Sequence, residues 1–205
     1  IVVFLISSCV NRKVFDSEYY CQKLSLNCIR ENQRVAFKTS KGNFEVQLYG
    51  KNNPVTVTNF IENIKKEIYK NKKFYKIVNY PQIQVIHSGV FSENNYYKKD
   101  SLKLNNLSPT IPLEIKLDKE IEPRYKYQVI DPSEIQNLTN IFEKGSLAMV
   151  RSGESSSSST EFFFVTNKFP ELNGRYSIFG KVIKGYEILK KIDKKDLIYD
   201  VLISP

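Results

Sequence analysis

Two runs near the front of the chain, RVAFKT (34–39) and NFEVQLY (43–49), alternate apolar and polar residues around the joint SKGN. A period of two marks a strand with one buried face, so the pair reads as a β-hairpin. KFYKIV (73–78), IQVIHSGVF (83–91), SLAMV (146–150), EFFFVT (161–166), YSIFGKVI (176–183) and LIYDVLIS (197–204) add further candidate strands. Between them, Asn53-Pro54 forms a cap followed by a first-turn proline, and Val57, Phe60, Ile61, Ile64 and Ile68 follow at helical spacing. A shorter helix, YEILKKI, follows Gly185, and Ser133 to Glu143 could form another, capped by Ser133. The serine run 155–159 reads as a surface loop. Eight strands, two main helices and no βα alternation predict a mainly-β fold: a closed antiparallel eight-stranded barrel with helices over its ends.

The ends and middle are less regular. IVVFLISSC at the front is too short to span a bilayer, which takes about 20 residues. It reads as the end of a secretory apolar region, and Ile6-Ser7-Ser8-Cys9 resembles a bacterial lipoprotein box with Cys9 as the lipidated residue. A buried N-terminal strand is the alternative. Residues 1–32 are then signal remnant and tether, and 33–205 the domain, with 92–144 irregular and rich in insertions. Export would leave Cys21 and Cys28 free to oxidise. In a continuous helix their Cα atoms would lie roughly 10 Å apart, so a disulfide requires a break between them.

The net charge of +9 and pI near 9.3 come from lysines scattered in short pairs. A nucleic-acid protein concentrates its charge on one element, so no nucleic-acid partner is expected. One histidine and no second cysteine pair argue against a metal site and against a Ser/His/Asp hydrolase.

Several strings, taken in order, resemble the cyclophilin family of peptidyl-prolyl isomerases from about Val35 to Ile203. GSLAMV, SGESSSSS, STEFFFVT and LNGRYSIFGKV are similar to the family's central strands, loop and turn. KGNFEVQLYGKNNPVTVTNF is similar to its opening hairpin and helix, and FYKIV to its F-[HY]-R-[IV]-[IV] string. The resemblance implies an isomerase without cofactor or metal, acting on X-Pro bonds of polypeptides. It would do so by binding the twisted amide in preference to the planar one.

Carried over residue by residue, the resemblance puts Lys76 at the catalytic arginine position. It puts His87 at a groove glutamine, with Gln84 as the alternative alignment. Glu161 stands at a second glutamine, Phe163 at the floor of the proline pocket, Leu172 at a groove leucine and Tyr176 at a groove histidine. Met149 lies beside the pocket or in the core. Phe162 and Phe164 should point into the barrel. The expected protein is a monomer on the extracytoplasmic, periplasmic or lumenal side of a membrane, anchored through Cys9 and assisting folding of exported or membrane-associated clients. Because Lys76 lacks the arginine's planar fork, a catalytically weak binding module or assembly chaperone is the alternative.

Overall fold

A computed structural model of the protein describes residues 16–90 and 108–204; Cys9 lies outside the described residues. Strands β1 (Gln33–Thr39) and β2 (Gly42–Leu48) form the expected hairpin, with Val35 opposite Val46 and Phe37 opposite Phe44. Helix α2 (Pro54–Lys65) buries Val57, Phe60, Ile61 and Ile64, and Ile68 just beyond it, against the inner face of the sheet.

The stretch read as one strand, KFYKIV, splits. Strand β3 (Lys72–Lys73) pairs with β12 (Leu197–Ser204), whereas β4 (Lys76–Tyr80) pairs with β5 (Ile83–Ser88). Between them Phe74 turns fully inward, and its N–H bonds the Asp196 carbonyl at 3.1 Å. The remaining members are β9 (Ser146–Arg151), β10 (Ser156–Val165) and β11 (Ile178–Lys184), and the sheet order is β3-β12-β1-β2-β11-β9-β10-β5-β4. The expected closed eight-stranded barrel is therefore corrected: nine strands curl into one sheet whose edge strands, β3 and β4, share no ladder. The two-residue link through Phe74 and Tyr75 joins them in sequence, and the Ser88 hydroxyl of β5 donates to the Lys73 carbonyl of β3 at 3.1 Å.

Residues 108–144 are more ordered than their irregular sequence suggests. Strand β6 (Thr110–Pro112) pairs with β10, and β7 (Glu114–Ile115) with β8 (Arg124–Tyr125). Leu113, Ile115, Leu117, Val129 and Leu138 form a separate small core. Helix α3 is only Pro132–Ile135, and its cap is Asp131, whose carboxylate accepts the Ser133 N–H at 2.8 Å. The expected helix to Glu143 does not form: Leu138 bridges to Leu117 instead. The serine run is a second correction. Ser157, Ser158 and Ser159 are buried within β10; Ser157 pairs with both β6 and β9, and Ser158 with β6. The last helix, α4 (Tyr186–Leu189), is a single turn.

From Asp16 onward, the segment read as a tether is folded onto the domain. Helix α1 (Ser17–Lys23) buries Tyr20 and Cys21 against Val55 and Tyr125. The helix ends at Lys23, and Ser25 takes a left-handed conformation (φ 54°). This break brings Cys21 and Cys28 to a Cα separation of 5.8 Å, where they form a disulfide. A loop this short contributes roughly 2–3 kcal/mol on the chain-entropy view.

Candidate active site

The three phenylalanines of β10 face two ways, as a strand must make them. Phe162 and Phe164 point inward among Phe37, Phe44, Phe60 and Tyr69. Phe163 points outward and joins Val85, Phe142, Ala148 and Ile178 in a second apolar cluster on the outer face. The strand register then sets one row across four strands: Lys76 on β4, His87 on β5, Phe163 on β10 and Ala148 on β9. A cleft of about 260 Å³ lies over this row, lined among others by Lys76, Val85, His87, Phe163, Leu172 and Tyr176.

Phe163 is only 2% exposed. The His87 ring stacks on it at 5.4 Å and the Phe142 ring at 5.7 Å, while Tyr176 meets it edge-on at 5.2 Å. Leu172 and Tyr176 reach the cleft from a turn that only glycine permits. Gly174 has φ +71°, and a Cβ there would lie 1.9 Å from the Val129 carbonyl oxygen. Val129 also donates its N–H to the Gly174 carbonyl at 2.9 Å, so the 108–144 region braces this wall. The Asn173 side chain accepts the Phe142 N–H at 2.8 Å and fixes the other side of the turn.

Of the expected site residues, Lys76, His87, Phe163, Leu172 and Tyr176 meet in the cleft. Gln84 instead donates to Asn79 at 3.1 Å on the exposed end of the hairpin, which leaves the cleft position to His87. Met149 is a correction: it is fully buried in the inner core opposite Phe162, because its neighbours Ala148 and Val150 take the outward face. Glu161 is also displaced from expectation. It is buried, lies outside the cleft lining, and its carboxylate accepts a hydrogen bond from the Tyr75 hydroxyl. Burial and then this neighbouring charge raise the Tyr75 pKa. Sequence reasoning missed Val78, Tyr80, Phe169 and Arg151, all in the lining. Arg151 directly follows the strand SLAMV, and the serine run beside it masked its strand position.

The electrostatics fix what His87 can do. Burial and then the Lys76 charge lower its pKa to about 4, so the imidazole is neutral at pH 7, with one N–H donor and one acceptor nitrogen. It serves as a hydrogen-bonding group rather than a proton shuttle. The sign follows: with a folded pKa below the usual 6.5, the stability it contributes is complete above pH 6.5 and is lost as pH falls toward 4. An NMR titration should place the His87 midpoint near 4, and Lys76→Gln should move it upward. A midpoint at 6.5 would mean that the ring is solvated.

Exposed Lys76 and the apolar floor of Phe163 flank a space that can hold a proline ring beside a cation. A larger cleft of about 370 Å³ lies between Leu24–Asn27 and α2; its α2 wall is polar, formed by Asn59, Glu62, Asn63 and Lys66, and among the described residues no aromatic ring lines it.

Comparison with known proteins identifies the family and the fold. Residues 34–202 match the family model for the cyclophilin type peptidyl-prolyl cis-trans isomerase/CLD domain. A peptidyl-prolyl cis-trans isomerase of Acinetobacter baylyi is 28% identical over 166 residues, covering 78% of this chain and 72% of that protein. One from Helicobacter pylori is 25% identical over 173 residues, covering 83% and 87%. The crystal structure of a Cryptosporidium parvum cyclophilin type peptidyl-prolyl cis-trans isomerase shares the fold, with a TM-score of 0.58 at 23% identity, over 85% of this chain and 99% of that one.

Proposed function

The chain belongs to the cyclophilin-type peptidyl-prolyl cis-trans isomerase family, and we propose that it catalyses rotation about X-Pro bonds in the cleft over Phe163. The observation that carries this reading is the register row in which a cation, a neutral imidazole and an aromatic floor stand side by side. A planar amide resists rotation by roughly 18–20 kcal/mol through its partial double bond. The apolar floor holds the proline ring. The Lys76 ammonium donates to the prolyl nitrogen as it pyramidalises, which localises the lone pair and removes conjugation. His87 offers its N–H to the carbonyl as that group swings. Both contacts strengthen only as the amide twists, which lowers the barrier.

Lys76→Ala should lower the catalysed rate about tenfold, equivalent to about 1.4 kcal/mol, with little effect on folding because the side chain is exposed. Lys76→Arg should raise it, since a guanidinium places more donors on the twisted amide. Exchange spectroscopy on a proline peptide reads both. The second reading, a weakly catalytic binding module, is favoured by the point-charge lysine. It predicts a negligible rate that Lys76→Ala leaves unchanged.

The proposed setting is an extracytoplasmic membrane surface, with the protein acting as a monomer on exported or membrane-associated clients. Support comes from the Cys21–Cys28 disulfide, which suits an oxidising compartment, and from the Ser-Ser-Cys9 motif. One acyl chain binds membranes only marginally, so a stable anchor needs several at Cys9. Mass spectrometry of the native protein should find Cys9 lipid-modified as the first residue; an unmodified segment continuing through Cys9 would refute the anchor.

A further inference from the structure

Lys76 and Arg151 stand on the two outer strands of the cleft, β4 and β9, with β5 and β10 forming its floor between them. We propose that Arg151 makes this groove selective for proline segments carrying a carboxylate within two residues of the proline; the inference rests on the isomerase reading of the same groove.

Arg151 donates its Nε–H to the Gly153 carbonyl at 3.0 Å, which holds the guanidinium by one edge. Among the described residues, no carboxylate lies within ion-pair distance of it or of Lys76. Some other basic residues are matched, Arg124 with Glu120 and Glu134, Lys181 with Glu143 and Lys41 with Asp196, and many surface lysines are not; what sets Lys76 and Arg151 apart is that both line one cleft. Among the described residues no Asp or Glu lines the cleft, and its histidine is neutral at pH 7. The groove is thus a site of uncompensated positive charge on a chain of net charge +9. A guanidinium fixed by its Nε still presents its terminal N–H groups, the geometry that a carboxylate accepts with both oxygens.

Distance sets the position of the carboxylate. Ala148 lies opposite Phe163, and Arg151 is three residues further along β9, roughly 10 Å at strand spacing. An extended peptide advances about 3.3 Å per residue. A glutamate two residues from a proline seated on Phe163, with its own side-chain reach and that of Arg151, spans the gap. Lys76, one strand beyond His87, remains over the amide.

The test uses peptides with a single proline in which Glu, Gln or Lys is placed in turn at the two positions before and the two after it. Isomerisation is read by exchange spectroscopy and affinity by fluorescence polarisation. At one or more positions, Glu should exceed Gln about fivefold in both kcat/KM and affinity. The advantage should shrink at high salt and in R151Q, and R151E should favour Lys. Turnover of Gln peptides with no Glu advantage at any position overturns the selectivity and leaves the isomerase reading standing. A Glu advantage in affinity without turnover of any peptide supports the selectivity and overturns the isomerase reading. A Glu advantage that survives R151Q overturns the assignment to Arg151.

Discussion

Phe163→Ala is expected to lose about 3–5 kcal/mol of stability and most of the affinity for proline peptides. The stability loss follows from burial: the ring is 2% exposed, and deleting it leaves a hole bounded by Phe142, Val85 and Ala148. The affinity loss follows from position, because the same ring floors the cleft and carries the stacked His87. Phe163→Leu separates the two effects. It refills most of the volume, so the fold should largely recover, while the flat surface for the proline ring stays absent. Urea unfolding and peptide titration on both variants give the comparison. Unchanged affinity in a folded Phe163→Ala protein would place the proline site elsewhere.

Glu114→Ala should be as damaging, on the order of 4 kcal/mol, although Glu114 lies outside the cleft. Its carboxylate is fully buried and accepts the N–H groups of Val55 at 3.2 Å and Thr56 at 2.9 Å, and the Tyr125 hydroxyl at 2.7 Å. Tyr125 in turn meets the Ser17 hydroxyl at 2.7 Å, and Ser17 donates to Glu122. One side chain therefore caps α2, secures β7 against β8 and ties the N-terminal helix to both. Removing it leaves buried donors unpaired, each costing about 1–3 kcal/mol. Burial raises the Glu114 pKa, and its hydrogen bonds only partly offset this. A raised folded pKa means that this group's stabilisation is complete below the unfolded value and is lost as pH rises through the folded one. Glu114→Gln should remove that pH dependence while retaining part of the stability. An Ala variant that unfolds at the wild-type urea midpoint would show that the cap is dispensable.

Glu114 also shows why parts of the fold were unreadable. Asn53 before Pro54 is the local cap signal, and α2 does begin there. Yet the Asn53 side chain makes no capping bond to the helix; it donates to the Glu114 carbonyl at 3.1 Å and accepts from Asn140 at 3.0 Å. The carboxyl group that holds the helix N-terminus arrives from 58 and 59 residues away. The serine run misled in a similar way. Its composition is that of a loop, but β6 pairs with Ser156–Ser158, β9 with Ser157, and the Asn59 and Asn63 side chains donate to the Ser159 carbonyl, so its buried backbone finds partners that the local sequence does not show.

What the sequence determined by itself was local: the period of two that separates Phe163 from Phe162 and Phe164, the helical spacing of α2, and the need for a break between Cys21 and Cys28. These depend on bond geometry, which repeats every residue. Only the tertiary structure decided which strands lie side by side. That placement put Lys76, His87 and Phe163 in one row, sent Met149 into the core, split the 73–78 stretch at Phe74 and brought Arg151 to the rim of the cleft. Register and sheet order are set by contacts between residues far apart in the chain, and no local pattern encodes them.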